Sequence, residues 1–378
     1  MSVMPPEGRP RARDLGIVLG TLPPGPFNAI TDVAGLRVGQ TTLIAGDGPL
    51  VVGQGPVRTG VTVIVPCEAE AATEPVFAGS HVLNGNGEMT GLAWIEESGL
   101  LTSPVAITNT HSVGVVRDAI IAHEVSRGRH REVSWSLPVV AETWDGGLND
   151  INGFHVRPEH LHAALDAASD GPVAEGGVGG GTGMICHGFK GGIGTASRVV
   201  TSEDDRWTVG ALVQANYGQR HQLRVDGVPV GREIPATEIP TLWSGGAMPP
   251  PGGGSIIVVV ATDAPLLPHQ CRRLAQRATI GIARVGGVGE DSSGDIFLAF
   301  STANRGIEPR SMAPFPVRML PSPAMSPLFV AAAEATEEAI VNALCAATTM
   351  VGVDGRTAHA LPHDRLREVM ARYGRQGG

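Results

Sequence analysis

Three glycines run into a serine at Gly252-Gly253-Gly254-Ser255, and that serine opens the stiff apolar run SIIVVVAT. Glycine lacks a Cβ, so the backbone here can bend or take up strain that other residues resist. A hydroxyl held against the preceding carbonyl could attack it. Ser255 Oγ would then replace the Gly254–Ser255 amide with an ester, and hydrolysis would free a new N-terminal serine. An α-amine has an ordinary pKa of about 8, so it could act as a base beside its own hydroxyl near neutral pH. On the pattern alone a plain glycine hinge followed by a strand-capping serine is the better reading, since GGGS is common in loops.

Other groups with chemical potential read as structural. The stretch GGTGMICHGFKGG begins like a phosphate loop at Gly181 and Gly183, but Lys190 follows Phe189 and precedes Gly191. A Walker loop needs glycine-lysine followed by serine or threonine, and a dinucleotide loop needs a strand–loop–helix setting. Nucleotide binding is therefore not expected. The histidines include His111, His123, His155, His160, His162, His187 and His221, but no HExxH occurs. His160 and His162 are two apart on an expected helix and share no face. No metal site is expected. Cys186 and His187 are adjacent, and neighbours on an extended segment point in opposite directions, so a packed thiol is the better reading. Cys67, Cys186, Cys271 and Cys345 are far apart in sequence. They read as reduced, packed thiols of a cytoplasmic protein rather than a disulfide frame or zinc site, with export not excluded.

The elements that must carry these groups follow from composition and pattern. The chain has 378 residues, 42% of them hydrophobic, which is enough for a core and excludes disorder over the whole length. It carries 28 basic against 37 acidic residues, net −9, which argues against a general nucleic-acid binder. The apolar patch at 15–19 is too short for a signal segment, and no run reaches the length of a membrane span. GVTVIVPC, SIIVVVAT and DIFLAFS read as buried strands. Residues 113–125, 158–169, 267–284, 327–347 and 361–374 have helical spacing. Residues 204–207 suit a hairpin tip. Residues 224–254, rich in proline and without period, read as an exposed loop or linker. The glycines of 171–194 enclose Met184, Ile185, Cys186 and Phe189, which favours ordered, tightly packed backbone over a flexible linker. Strands buried on both faces point to layered sheets with helices outside.

The blocks NAITDVAGLRVG, HVLNGNGEMTG, AITNTHSVGVV, VVAETWDGGLNDING, GGGTGMICHGFKGGIGTASR, VGALVQANYG, GGGSIIVVVATDAPL and SGDIFLAFSTAN resemble, in this order and over nearly the whole chain, one family. It is the self-processing L-aminopeptidase/D-Ala-esterase-amidase and β-aminopeptidase family. The aminopeptidase/D-Ala-esterase branch looks the closer of the two. The resemblance implies an α+β, four-layer αββα sandwich, similar to N-terminal nucleophile hydrolases but differently connected. It implies one catalytic domain, 1–378, that cuts itself into 1–254 and 255–378.

The same resemblance implies roles. Ser255 would be the nucleophile of both self-cleavage and turnover, with the cleavage site at Gly254 and Ser255. Asn216 would donate to an oxyanion, which its uncharged amide suits. Ser293 and Asp295 would orient the serine hydroxyl and hold the new ammonium. Glu142 would pair with the substrate's free amine. The family's tyrosine falls at Trp144, which has an indole N–H but no hydroxyl. Either Trp144 lines the amine pocket, or Asn216 and backbone N–H groups serve the oxyanion. The implied activity is a serine aminopeptidase with amidase or esterase action on short substrates: L-amino-acid peptides, D-alanine amides or esters, or β-peptides. No cofactor and no metal are implied. Expected partners are the substrate and further copies in a homotetramer of cleaved units, with no nucleic acid and no membrane. Two alternatives remain at this stage: a non-catalytic binding or assembly protein, and an aminoacyl transferase using the same serine.

Overall fold

The computed structural model describes residues 9–67, 74–127, 135–202, 205–244, 254–307 and 312–375. Strands β1 (Arg37–Ala45), β2 (Val57–Val65), β3 (Val76–Gly85), β4 (Leu100–Leu101), β5 (Val105–Asn109) and β6 (Val139–Thr143) come first, with helices α1 (Leu92–Ser98), α2 (Val113–Ser126) and α3 (Pro158–Asp166) among them. A short ribbon, β7 (Ile185–Cys186) and β8 (Phe189–Lys190), precedes β9 (Gly192–Thr201) and β10 (Arg206–Asn216). Next come α4 (Val230–Glu233), β11 (Ser255–Thr262), α5 (Pro268–Ala275), α6 (Ala278–Val285) and β12 (Gly294–Ser301). The long α7 (Met325–Ala346), a second small ribbon of β13 (Met350–Val351) and β14 (Thr357–Ala358), and α8 (His363–Arg372) close the chain.

Two sheets form, in the orders β1-β2-β5-β6 and β4-β3-β12-β11-β10-β9. The alternation of side chains along each strand sorts them into layers. Ile257, Val259 and Ala261 of β11 face the core between the sheets with Ile64, Ile107 and Leu212. Ile256, Val258 and Val260 face the other way, against α5, α6 and α7. On the far side of the smaller sheet, Val61, Val63 and Ala106 pack against Val116, Ile120 and Leu161 of α2 and α3. The expected four-layer αββα sandwich is the architecture seen. All eight residues of β11 are buried, which is why its sequence shows no polar alternation.

The glycine-rich stretch is ordered and close-packed. A β-carbon at Gly192 would stand 1.9 Å from Gly176 O, and one at Gly181 would stand 2.4 Å from Ile193 N. Gly194 lets β9 touch α7, since a β-carbon there would lie 1.9 Å from Ala339 O. Backbone atoms cannot rotate out of the way. Gly194→Ala should therefore cost about 3 kcal/mol, at the upper end for overpacking, read as a lower urea midpoint.

Across the same interface Arg198, fully buried, bonds Glu334 at 3.1 Å and Glu338 at 2.6 Å, and Arg13 bonds Glu338 at 2.8 Å. Burial alone would raise the Glu338 carboxyl. The Arg13 hydrogen bond and the Arg198 charge outweigh that and hold it below its ordinary value.

Two sequence expectations change. The helix at 267–284 is two helices, because Arg277 N–H bonds Leu274 O at 2.9 Å in a tighter turn. That turn swings α6 onto α7, where Gly281 meets Ala333 and Thr336. The segment beginning at 224 is not an exposed linker. Val225, Val228, Val230 and Ile234 are buried in the main core, and only 245–253 lies outside the described residues. The hairpin tip at 204–207 lies partly outside them too, but Ser202 and Asp205 close the turn by a 2.8 Å backbone bond. Among the described residues no helix is long and apolar enough to cross a membrane.

Candidate active site

Ser255 is the first residue of β11, in the middle of the larger sheet. The antiparallel register with β10 sets Asn216 opposite it, and the parallel register with β12 sets Gly294 on its other side. Its hydroxyl donates to Gly254 O at 2.6 Å and accepts from the Gly294 N–H at 3.2 Å. The same N–H reaches Gly254 O at 3.3 Å. One backbone donor thus touches both the hydroxyl and the carbonyl oxygen on which charge would gather if that hydroxyl attacked.

Asn216 shares its strand face with Leu212, two pairs along, which points into the core between the sheets. Ile185 N–H donates to Asn216 Oδ1 at 2.8 Å, and Asn216 Nδ2 donates to Trp144 O at 2.9 Å. These bonds fix which end of the amide donates. Trp144 therefore meets Asn216 through its backbone. Its indole stacks on Gly146, where a β-carbon would come within 2.9 Å of the ring nitrogen.

Ser293 Oγ donates to Asp295 Oδ1 at 2.6 Å. Burial raises the Asp295 carboxyl above its ordinary pKa, and hydrogen bonds from Ser293 and the Ile256 N–H partly offset this. The pair lies beside the serine but acts on its backbone. Both hydrogen bonds of the Ser255 hydroxyl go to main-chain atoms of Gly254 and Gly294. The register explains this, because Asp295 pairs with Ile256 and Gly294 with Ser255.

Glu142, near the end of β6, is buried, and burial raises its pKa. Its Oε1 accepts from Glu88 N–H at 2.9 Å, and its Oε2 accepts from the Thr110 hydroxyl. A β-carbon at Gly87 would stand 3.1 Å from both Glu142 Oε1 and Gly294 Cα. The carboxylate and the backbone beside Ser255 therefore face each other across a glycine. Among the described residues no lysine or arginine pairs with Glu142; its two oxygens are held by the Glu88 N–H and the Thr110 hydroxyl.

A cleft of about 410 Å³ opens here, walled by Trp144, Asn216, Tyr217, Leu242, Trp243 and Gly254. Ser255 itself is 2% exposed behind Gly254. All four cysteines are buried. Cys186 has its thiol pushed up to about 12 by burial, so it is no nucleophile. Lys190 turns inward onto three backbone carbonyls, which leaves no phosphate cradle. Among the described residues no group of three or more metal-binding side chains gathers.

Sequence reasoning missed Gly294, Gly87, Glu88, Ile185 and Thr110. The first four act through their backbones, which leave no side-chain signature. Thr110 sits in the TNTHS turn, whose polar run was the available signal.

The family model for peptidase family S58 matches residues 28–358. The β-peptidyl aminopeptidase BapA of Sphingosinicella microcystinivorans is 52% identical, over 97% of this chain and 93% of its own. A Burkholderia β-aminopeptidase structure superposes with a TM-score of 0.89 at 55% identity, covering 97% of this chain and 99% of the other. The L-aminopeptidase D-Ala-esterase/amidase of Ochrobactrum anthropi, described as a new variant among the Ntn hydrolase fold, gives 0.87 at 48% identity, covering 97% and 100%. Identities to β-aminopeptidases run from 47% to 55% and bracket the 48% to the L-aminopeptidase, so they favour neither branch.

Proposed function

The chain belongs to peptidase family S58 and is an aminopeptidase, and from that premise we propose that it activates itself by cutting the Gly254–Ser255 bond. The observation that carries this reading is the 2.6 Å contact between Ser255 Oγ and the carbonyl oxygen of its own preceding peptide. In the first step Oγ attacks the Gly254 carbonyl carbon, its proton passes to the Ser255 nitrogen, and the C–N bond breaks. The Gly294 N–H steadies the oxygen during that attack. Water then hydrolyses the ester, giving a Gly254 carboxylate, a restored hydroxyl and a free α-amine on Ser255.

In turnover the freed amine takes the proton from Ser255 Oγ as the hydroxyl attacks the substrate's carbonyl. Asn216 serves as oxyanion donor, since its amide lies opposite Ser255 in the ladder. Glu142 binds the substrate's ammonium, which confines cleavage to the first residue of a short chain. Ser293 and Asp295 hold the backbone that carries the nucleophile. The substrates of this reading are short peptides, amides or esters with a free amine, and the names of the relatives support including β-amino-acid residues among them. A tetramer of cleaved units in the cytoplasm completes the proposal, the compartment resting on the buried thiols of Cys186, Cys271 and Cys345.

Intact-mass measurement on the purified protein tests the central step. Two species matching 1–254 and 255–378 are expected. A single chain that still hydrolyses amino-acid p-nitroanilides would overturn self-activation. Product analysis with an added amine separates hydrolysis from acyl transfer. The aminopeptidase relatives leave the non-catalytic binding reading without support.

A further inference from the structure

Lys190 is fully buried. Its ammonium donates to Gly181 O at 3.2 Å, Met184 O at 2.9 Å and Gly191 O at 2.8 Å. Three acceptors use all three of its N–H donors, and no carboxylate meets it among the described residues. Burying an ammonium without a counter-charge is costly, so a role in packing alone would be better met by methionine or leucine. The three carbonyls come from both sides of the β7–β8 ribbon, in which Lys190 pairs with Ile185. Gly191 N–H closes the ribbon's base on Met184 O at 2.9 Å. The residue after Met184 is Ile185, whose N–H holds Asn216 Oδ1 at 2.8 Å. The ammonium thus ties Gly181, Met184 and Gly191 to one another, beside the main-chain bonds from Met184 N–H to Gly181 O at 3.2 Å and from Gly191 N–H to Met184 O.

We propose that Lys190 is a positioning residue for Asn216: by gathering these three carbonyls it holds the Ile185 N–H on Asn216 Oδ1, and so, with one amide N–H on Trp144 O, aims the second at the developing oxyanion. The inference rests on the reading of Asn216 as that donor.

A double-mutant cycle tests it, with two readouts: the first-order rate at which the 255–378 fragment appears, and kcat on a reactive amino-acid ester. Lys190→Met should slow both by roughly 10- to 100-fold with KM within about 2-fold, and Asn216→Ala should slow them by about 10²–10³-fold. The double variant should match Asn216→Ala within about 3-fold, because a group that acts only through Asn216 has nothing left to position. A purely structural role would instead multiply the two losses. Lys190→Met within 3-fold of the parent, or multiplied losses in the double variant, overturns the inference. If Asn216→Ala alone changes neither rate, the oxyanion reading fails instead. Should Lys190→Met be insoluble, Lys190→Gln, which keeps two donors, takes its place in the same cycle.

Discussion

Ser255→Ala is expected to remain a single chain of 39.1 kDa and to lose peptide hydrolysis altogether. Alanine keeps the Cβ and the backbone bonds that set the start of β11, so the fold should hold, and far-ultraviolet circular dichroism should be unchanged. What disappears is the only atom proposed to form either ester. In a serine protease, loss of the nucleophile alone costs on the order of 10⁶ in kcat, and a comparable loss is expected here with amino-acid p-nitroanilides. Ser255→Cys is the control, since a thiol can still shift the acyl group. Fragments from Ser255→Ala protein, cut at 254/255, would sink the mechanism, because another group would have to be the attacker.

Glu142→Gln should separate the two reactions of one site. Gln keeps the shape, can still accept from the Glu88 N–H through its one carbonyl oxygen and can donate its amide N–H to the Thr110 hydroxyl oxygen in place of the bond it loses, but it brings no charge to a substrate ammonium. Truncating one partner of a buried charge pair costs 2–5 kcal/mol, so kcat/KM for amino-terminal substrates should fall by roughly 10²–10³-fold. Self-cleavage at Gly254 involves no free amine and should run at the parent rate. Esters without an amino group should likewise be hydrolysed as before. Equal losses on substrates with and without the amine would show that Glu142 shapes the site without reading the ammonium.

The strands were the easiest part to read. SIIVVVAT could hardly be anything but a strand buried on both faces, and β11 is one. The helix at 267–284 was misread as continuous, because the apolar spacing passes through Gln276 and Arg277 unbroken and only contact with α7 forces the turn there. Prolines at 229, 235 and 240 suggested exposure, yet Val230 and Ile234 between them are core residues. Asn216 and Ser255 were individually legible. Their placement side by side depends on the ladder between β10 and β11, which pairs residues 39 positions apart. The main-chain donors were invisible, since every residue but proline carries an N–H; only the contact seen in the structure shows that 294 must be glycine, where a β-carbon would stand 2.5 Å from Asn86 O.

The position of β11 has a consequence for the two products of the cut. It lies between β10, from the first product, and β12, from its own, while β3 of the first product flanks β12 in turn. The chains would therefore be laced together strand by strand, and Arg198 of one would be locked to Glu334 and Glu338 of the other. Among the described residues no seam runs between such a pair. Dilution should not release them, nor should mixed populations swap partners; only denaturant should part them, and the shorter chain on its own should precipitate.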